Sequence, residues 1–305
     1  MSRDITRRET LRVSAATVGV AGLAGCSAVT DAIPFVGGSY TDWVFEPGAV
    51  GDDDHQIVSF TDYRTIVDNE DAFDSDYYDE SFESNEDSFP LETVDLDVED
   101  VQSRVTIGGF GGRIAAEYER EAVATELEDE DYDDDTEYEG YTVYLGPNER
   151  RAVGIDGSNV LYSRTTFTSD ADPVEIVEAL IDAKNGEEDR YVDESEGFKG
   201  VSDELGSPTF AFLRTQDPPE ETNAENGRFE ENVAGGFGAT VNGETTNLGT
   251  VLVFDSEDDV DMDGVEEYAD TEQFDEWDDL STTQAGTAVL IEGQVDTDDL
   301  QDVLN

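Results

Sequence analysis

Electrical charge is the feature that most limits what this chain can fold into. Its 305 residues include 78 Asp and Glu against 16 Lys and Arg, which gives a net charge of −62 at neutral pH. So much like charge destabilises a compact state by self-repulsion. In molar salt the Debye length falls to about 3 Å, and the repulsion is screened. The composition therefore predicts a protein that folds in brine. It also excludes nucleic acid as a partner, because binding a phosphate backbone requires lysine and arginine clusters.

Intrinsic disorder is the alternative interpretation of a chain with low hydropathy and high charge. Aromatic residues nevertheless make up 10% of this chain. Apolar runs of β-strand character also recur along it, as in Tyr141–Leu145 and Thr287–Gly293. A chain of this length can bury a sizeable core, so we expect a folded domain.

The first 25 residues have the pattern of an export signal. Arg7 and Arg8 precede an uncharged apolar stretch over residues 13–23. As a helix this stretch would rise about 16 Å, which is too short for a hydrocarbon core of about 30 Å. Residues 1–25 are therefore predicted to be a twin-arginine signal peptide, in preference to a buried amphipathic first helix.

The apolar stretch ends in Leu23-Ala24-Gly25-Cys26, which looks like a lipobox, and Cys26 is the single cysteine of the chain. A lone cysteine cannot form an internal disulfide, whereas lipidation gives it a use. We expect Cys26 to carry a lipid that attaches the protein to the membrane. A chance cysteine near an ordinary cleavage site is the alternative. Residues 26–41, which include Pro34 and Gly37-Gly38, are predicted to form a short tether.

Together these features resemble haloarchaeal lipoproteins of uncharacterised function that are exported by the twin-arginine route. The scarcity of lysine, with Lys184 and Lys199 as its two occurrences, adds to the resemblance. The resemblance implies a lipid-anchored, extracellular protein on the outer face of the cell membrane.

The mature chain is predicted to be α+β, with mainly antiparallel sheets and short helices on one face. The strongest elements are two hairpins, around Asp156-Gly157 and Asn242-Gly243, and an amphipathic helix over Pro173–Ala183. Residues 42–195 and 196–305 are expected to form two similar halves, since Gly108-Gly109-Phe110-Gly111 recurs as Gly235-Gly236-Phe237-Gly238. These glycines lack the spacing of phosphate-binding loops, so we interpret them as bends or bulges. Within the first half, residues 68–99 are expected to be a loosely packed, solvated acidic excursion.

One acidic segment resembles the calcium loop of EF-hand proteins. Asp259, Asp261 and Asp263 occupy loop positions one, three and five, Gly264 occupies six, the Val265 carbonyl would serve at seven and Asp270 at twelve. A bidentate Glu is usual at position twelve, and acidic residues are abundant throughout this chain. The alternative interpretation is a solvated helix start with aspartate caps. Calcium is the single cofactor that the sequence suggests.

Catalytic patterns are scarce. His55 is the single histidine and follows three aspartates, and we interpret it as an exposed loop residue. Zinc sites and Ser-His-Asp triads therefore have few candidate ligands or bases. The leading hypothesis is a non-enzymatic surface lipoprotein that interacts with an envelope protein or a glycan. A solute-binding lipoprotein of a transporter and a carboxylate-based hydrolase are the alternatives.

Overall fold

Twelve strands form one continuous antiparallel sheet in the part of the chain that the computed structural model describes, which is residues 40–51, 54–82, 89–165, 171–187 and 190–304. The strands are β1 Ile57–Thr61, β2 Val101–Ile107, β3 Gly111–Ala116, β4 Asp133–Tyr138, β5 Tyr141–Leu145, β6 Arg151–Ile155, β7 Asn159–Arg164, β8 Phe210–Thr215, β9 Asn232–Asn242, β10 Thr245–Phe254, β11 Asp278–Ala285 and β12 Ala288–Asp296. Their order across the sheet is β11-β12-β10-β9-β8-β1-β2-β3-β7-β6-β5-β4. The predicted α+β class with an antiparallel sheet is confirmed.

Helices cover both faces of this sheet. They are α1 Tyr63–Asp68, α2 Ser75–Ser81, α3 Leu91–Val94, α4 Arg120–Asp129, α5 Pro173–Asn185, α6 Tyr191–Glu194, α7 Glu196–Leu205, α8 Met262–Ala269 and α9 Leu300–Leu304. One core lies under α1–α4, α8 and α9. The other lies under α5–α7 and the 3₁₀ helix Tyr40–Trp43. Among the described residues, no helix is both long and apolar enough to cross a membrane.

The central strands explain why two faces are covered where the sequence suggested one. In β10, Leu252 and Phe254 join the first core, whereas Val251 and Val253 join the second. Successive strand residues point to opposite faces, so a run of consecutive apolar residues needs cover on both sides. A short apolar run does not by itself reveal how many faces are buried.

The two segments expected to form similar halves occupy two contiguous blocks of the sheet. Strands β1–β7 come from residues 42–195, strands β8–β12 come from residues 196–305, and the blocks meet where β1 pairs with β8. The two Gly-Gly-Phe-Gly runs are not structural counterparts. Gly108 and Gly109 form the turn between β2 and β3, whereas Gly235–Gly238 lies inside β9. That sequence echo therefore gives no support to a duplication.

Residues 68–99 were expected to be a solvated excursion, and this expectation is wrong for the described part of that segment. Phe82, at the end of α2, is 5% exposed and stacks on Phe210 with the ring centres 5.8 Å apart. Leu91 and Val94 of α3 are each 1% exposed. The acidic residues surround apolar side chains that pack on the sheet, so the charge density of the segment conceals its role as a cover for the core.

The two edge strands, β4 and β11, are absent from the sequence-based assignment. Both begin with acidic residues, Asp133 in β4 and Asp278 and Asp279 in β11. They lack the alternation of apolar and polar residues that identifies half-buried strands. Charged side chains on an edge discourage pairing with another sheet, so the composition that hides these strands from prediction also protects the edges.

Candidate binding cavity

The residues of the predicted calcium loop do not converge. Asp261 caps α8 by accepting a hydrogen bond from the Gly264 N–H at 3.1 Å, and Asp259 accepts one from the Ser256 hydroxyl at 2.6 Å. Asp263 and Val265 lie within α8, and Asp270 follows its last residue. An eight-residue helix is about 12 Å long, so Asp270 lies at the far end from Asp259. The segment has the geometry of a capped helix start, which was the alternative interpretation.

Two other acidic or metal-ligating groups are exposed. His55 lies 3.3 Å from Asp217, measured from Nε2 to Oδ1, and both side chains are solvent-accessible. Asp296, Asp298 and Asp299 hold their carboxylates within 4.8 Å of one another, and all three are exposed. The charge of Asp298 is the main cause that raises the pKa of Asp299. Neither group has a buried polar partner that points to a ligand.

The residues predicted for export and anchoring, Arg7, Arg8 and Cys26, lie outside the described residues. The signal peptide and the lipidated cysteine therefore remain predictions from the sequence.

A cavity with a volume of about 1250 Å³ lies beside the turn between β6 and β7. We call it the Arg113 cavity. Its lining includes Arg113 on β3, Asn159 on β7, Trp43 from the first 3₁₀ helix, and residues of α4 and the end of α5. Small-molecule sites commonly have volumes of about 300–1,000 Å³, so the cavity has room for an organic ligand.

Arg113 is a buried cation whose partners are all neutral. The residue is 4% exposed. Its Nε donates to Asn159 Oδ1 at 2.7 Å, and its Nη1 donates to Ser103 Oγ at 3.3 Å. The guanidinium also lies 4.9 Å from the centre of the Trp43 ring. Within the described residues no carboxylate forms an ion pair with it. Burial lowers the pKa of Arg113 to about 10, and the nearby charge of Asp156 only partly opposes this shift, so the group is still protonated at neutral pH.

Trp43 forms the wall above Arg113 and is itself 2% exposed. Its indole N–H has no acceptor among the described residues. Asp42, its neighbour, fixes this wall by binding Lys184 at 3.1 Å and Arg190 at 3.0 Å. The Lys184 ammonium lies 5.5 Å from the centre of the Trp43 ring. The indole therefore lies close to two cations, of which Lys184 has a carboxylate partner.

The turn after β6 positions the partner of Arg113. The Asp156 carboxylate accepts hydrogen bonds from the backbone N–H groups of Ser158 at 2.8 Å and Asn159 at 2.7 Å, and from the Asn159 side chain at 2.9 Å. These bonds leave Asn159 Oδ1 to accept from Arg113. Burial alone would raise the pKa of Asp156, but the hydrogen bonds from Ser158, Asn159 and Tyr141 outweigh it and lower the pKa.

Two tyrosines complete the polar part of the cavity. The Tyr118 hydroxyl donates to the Asn159 carbonyl at 2.6 Å and accepts from the Gly157 N–H at 3.1 Å. Burial is the main cause that raises the pKa of Tyr118 to about 12 and also raises the pKa of Tyr141. Both hydroxyls therefore stay protonated at neutral pH and act as hydrogen-bond donors.

The sequence analysis did not identify this cavity. The hairpin turn at Asp156 was predicted, but its role in orienting Asn159 depends on β3 lying next to β7. One indication was available: Arg113 interrupts an otherwise small and apolar strand, Gly111–Ala116. A charged residue in such a run is rarely buried without a partner, and this could have marked it for attention.

Comparisons with known proteins show distant structural resemblance and nothing more. No known protein family matches this chain. No curated protein is similar to it in sequence either. Three crystal forms of the protein TP0453 have a similar backbone: form III with a TM-score of 0.49 and 12% identity, form I with 0.44 and 14%, and form IV with 0.47 and 12%. The matches cover 84%, 86% and 86% of this chain and 96%, 96% and 98% of TP0453. Resemblance at this distance carries no argument about function.

Proposed function

We propose that this chain is a membrane-anchored extracellular lipoprotein of a halophile whose folded domain binds a small solute and has no enzymatic activity. The sequence supports the anchored part of the proposal through the Arg7-Arg8 motif and the single cysteine, Cys26. The observation that carries the binding part is Arg113, a buried cation that lines a large cavity without a carboxylate partner.

Buried charge without a counter-charge costs a protein several kcal/mol. A cation held in this way is a ready partner for an anionic group of a ligand, because an arginine fork binds a carboxylate through two parallel hydrogen bonds. The Arg113 fork is oriented by Asn159 and covered by Trp43. Its position is thus fixed in advance, which reduces the entropy lost on binding.

Asp156, the carboxylate nearest to the Arg113 partner Asn159, is unsuited to act as the proton donor of a hydrolase. A pair of carboxylates that cleaves a glycosidic bond needs one member with a raised pKa as the proton donor. The pKa of Asp156 is lowered instead, and its oxygens already accept several hydrogen bonds from the turn. Asp156 therefore acts as a structural acceptor.

A surface that docks on an envelope protein or glycan is the second candidate function. Ile57 on β1 and Phe212 on β8 are 49% and 43% exposed on neighbouring strands at the centre of the sheet. Ile57 pairs with Arg214 and Phe212 pairs with Ser59, so the two apolar side chains are diagonal neighbours on one face. Exposed apolar residues that lie near one another can contribute to a contact surface.

Two measurements test the proposal. Cell fractionation tests the anchor: the wild-type protein should remain with membranes, whereas Cys26→Ser should appear in the medium, and equal partitioning would refute lipid anchoring.

Thermal unfolding in molar salt tests binding. At least one solute in a panel of small organic compounds should raise the melting temperature of the wild type without changing the melting temperature of Arg113→Gln. If every solute that stabilises the wild type stabilises this variant equally, the cavity is not the site.

A further inference from the structure

We infer that the Arg113 cavity takes an extended ligand that carries a carboxylate at one end and at least one cationic nitrogen, in the manner of a basic amino acid. This inference rests on the proposed solute-binding function and names its ligand class. It follows from two opposite features of the same cavity: a buried cation that forms no ion pair within the described residues, and an excess of carboxylates in the lining.

The inner feature defines the carboxylate end. Two of the Arg113 nitrogens, Nε and Nη1, donate to Asn159 and Ser103. Its third nitrogen, Nη2, forms no hydrogen bond within the described part of the chain. The buried Nε1 of Trp43 has no acceptor there either. A ligand carboxylate that reaches the guanidinium would give it a directly bonded counter-charge, which Asp156 supplies only through Asn159, and would accept the unused hydrogen bonds.

The outer feature defines the cationic end. Six carboxylates line the cavity besides that of Asp156: Asp95, Asp100, Glu117, Glu119, Glu126 and Glu139. The opposing cations are Arg113 and Lys184, and Lys184 is already paired with Asp42. A simple anion would have to pass and remain near this excess of negative charge, which costs binding energy. A ligand with a cationic nitrogen away from its carboxylate satisfies both regions.

The volume of the cavity fits an extended ligand. At about 1250 Å³ it is much larger than a bound acetate or chloride ion would need. The lining includes residues of α4, such as Ala122 and Glu126, as well as Arg113 on β3. A chain of several carbons can place one end at Arg113 and the other beside the glutamates.

A matched series of three compounds tests this inference. Isothermal titration of the full folded domain in molar sodium chloride compares L-lysine with 1,5-diaminopentane, which is lysine without its carboxylate, and with hexanoate, which lacks both amino groups. L-lysine should bind at least about tenfold more tightly than either of the others, since 1,5-diaminopentane lacks the carboxylate and hexanoate lacks the cationic nitrogens.

Variants assign the two ends of the ligand. Arg113→Gln should weaken L-lysine at least about tenfold, and the exposed Arg214→Gln on β8 is the charge-matched control that should leave affinity unchanged. Arg113 is buried, so its replacement could weaken binding by disturbing the fold. A second variant therefore combines Glu117→Gln with Glu119→Gln, two substitutions at exposed positions that should leave the fold intact. It should weaken L-lysine and leave hexanoate unchanged or strengthened.

Three results would overturn the inference. Hexanoate binding as tightly as L-lysine would indicate a plain anion site. Tight binding of 1,5-diaminopentane that Arg113→Gln does not affect would indicate a cation site. If none of the three binds while another solute stabilises the wild type but not Arg113→Gln, the ligand class is wrong and the proposed solute binding stands.

Discussion

Replacing Arg113 with methionine measures how much the buried, unpaired cation costs the fold. Burial lowers the pKa of this guanidinium from 12.5 to about 10. A difference of this size corresponds to about 3 kcal/mol at neutral pH, where the folded and the unfolded chain both carry the proton. Because a lowered pKa in a base means that the folded state disfavours the charged form, the sign is a cost to folding. The cost persists up to about pH 10 and is relieved as the pH rises above it.

The substitution also removes favourable contacts. Asn159 Oδ1 loses the donor that lies 2.7 Å away, and an unsatisfied buried acceptor costs about 1–3 kcal/mol. The two effects nearly cancel. We therefore expect the free energy of unfolding of Arg113→Met to lie within about 2 kcal/mol of the wild type. Breaking a buried ion pair by removing one partner instead costs about 3–5 kcal/mol.

Urea unfolding in molar sodium chloride, followed by circular dichroism, gives this free energy. Arg190→Met is the control, since Arg190 binds the carboxylate of Asp42 at 3.0 Å and the carbonyls of Ala183 at 2.8 Å and Lys184 at 3.0 Å. The Arg190→Met substitution should lower the free energy of unfolding by about 1.5–3 kcal/mol, as expected for the loss of hydrogen bonds to a charged group. If the free energy of unfolding of Arg113→Met is lower than that of the wild type by about 3 kcal/mol or more, other groups of the folded protein already stabilise the Arg113 charge. That result would remove the basis for a ligand carboxylate there.

Three further predictions concern the fold. Gly112→Ala should cost about 3 kcal/mol or more in urea unfolding, because a Cβ there would lie 1.9 Å from the Val105 carbonyl oxygen, whereas Gly48→Ala meets nothing within 4 Å and should be nearly neutral. Asp261→Ala removes the cap of α8 and should cost about 1 kcal/mol, equally with and without calcium; a calcium-dependent difference in the melts would restore the metal-loop hypothesis. Raising sodium chloride from about 0.1 M to about 1 M shortens the Debye length from about 10 Å to about 3 Å. The melting temperature should rise, and a fall would contradict the self-repulsion argument.

Local patterns in the sequence predict much of this fold. The hairpin over β6 and β7 and the helix α5, whose N-terminus is capped by Asp172 through the Val174 N–H at 2.8 Å, agree with prediction. Turn residues and helical spacing act over a few residues, so they can be read directly. The edge strands were missed because their stability comes from a neighbouring strand and not from their own apolar residues.

The cavity could not be predicted for a different physical reason. It needs Ser103, Arg113 and Asn159 to meet across three strands, although they lie 10 and 46 residues apart in the chain. Such a meeting is set by strand order, and β3 pairs with β7 instead of with the next strand in sequence. In a chain with 78 acidic residues, acidic residues do not mark a site. The residue that marks this cavity is the buried Arg113, and its burial is visible only in the structure.

The position of Trp43 links the start of the described chain to the proposed site. Trp43 belongs to the first 3₁₀ helix of the described chain, and the ion pairs of Asp42 with Lys184 and Arg190 fasten that helix beside α5. The Arg113 guanidinium lies 4.9 Å from the centre of the Trp43 ring. The Asp42 ion pairs therefore keep Trp43 over Arg113, so the first described residues help to build the wall of the cavity.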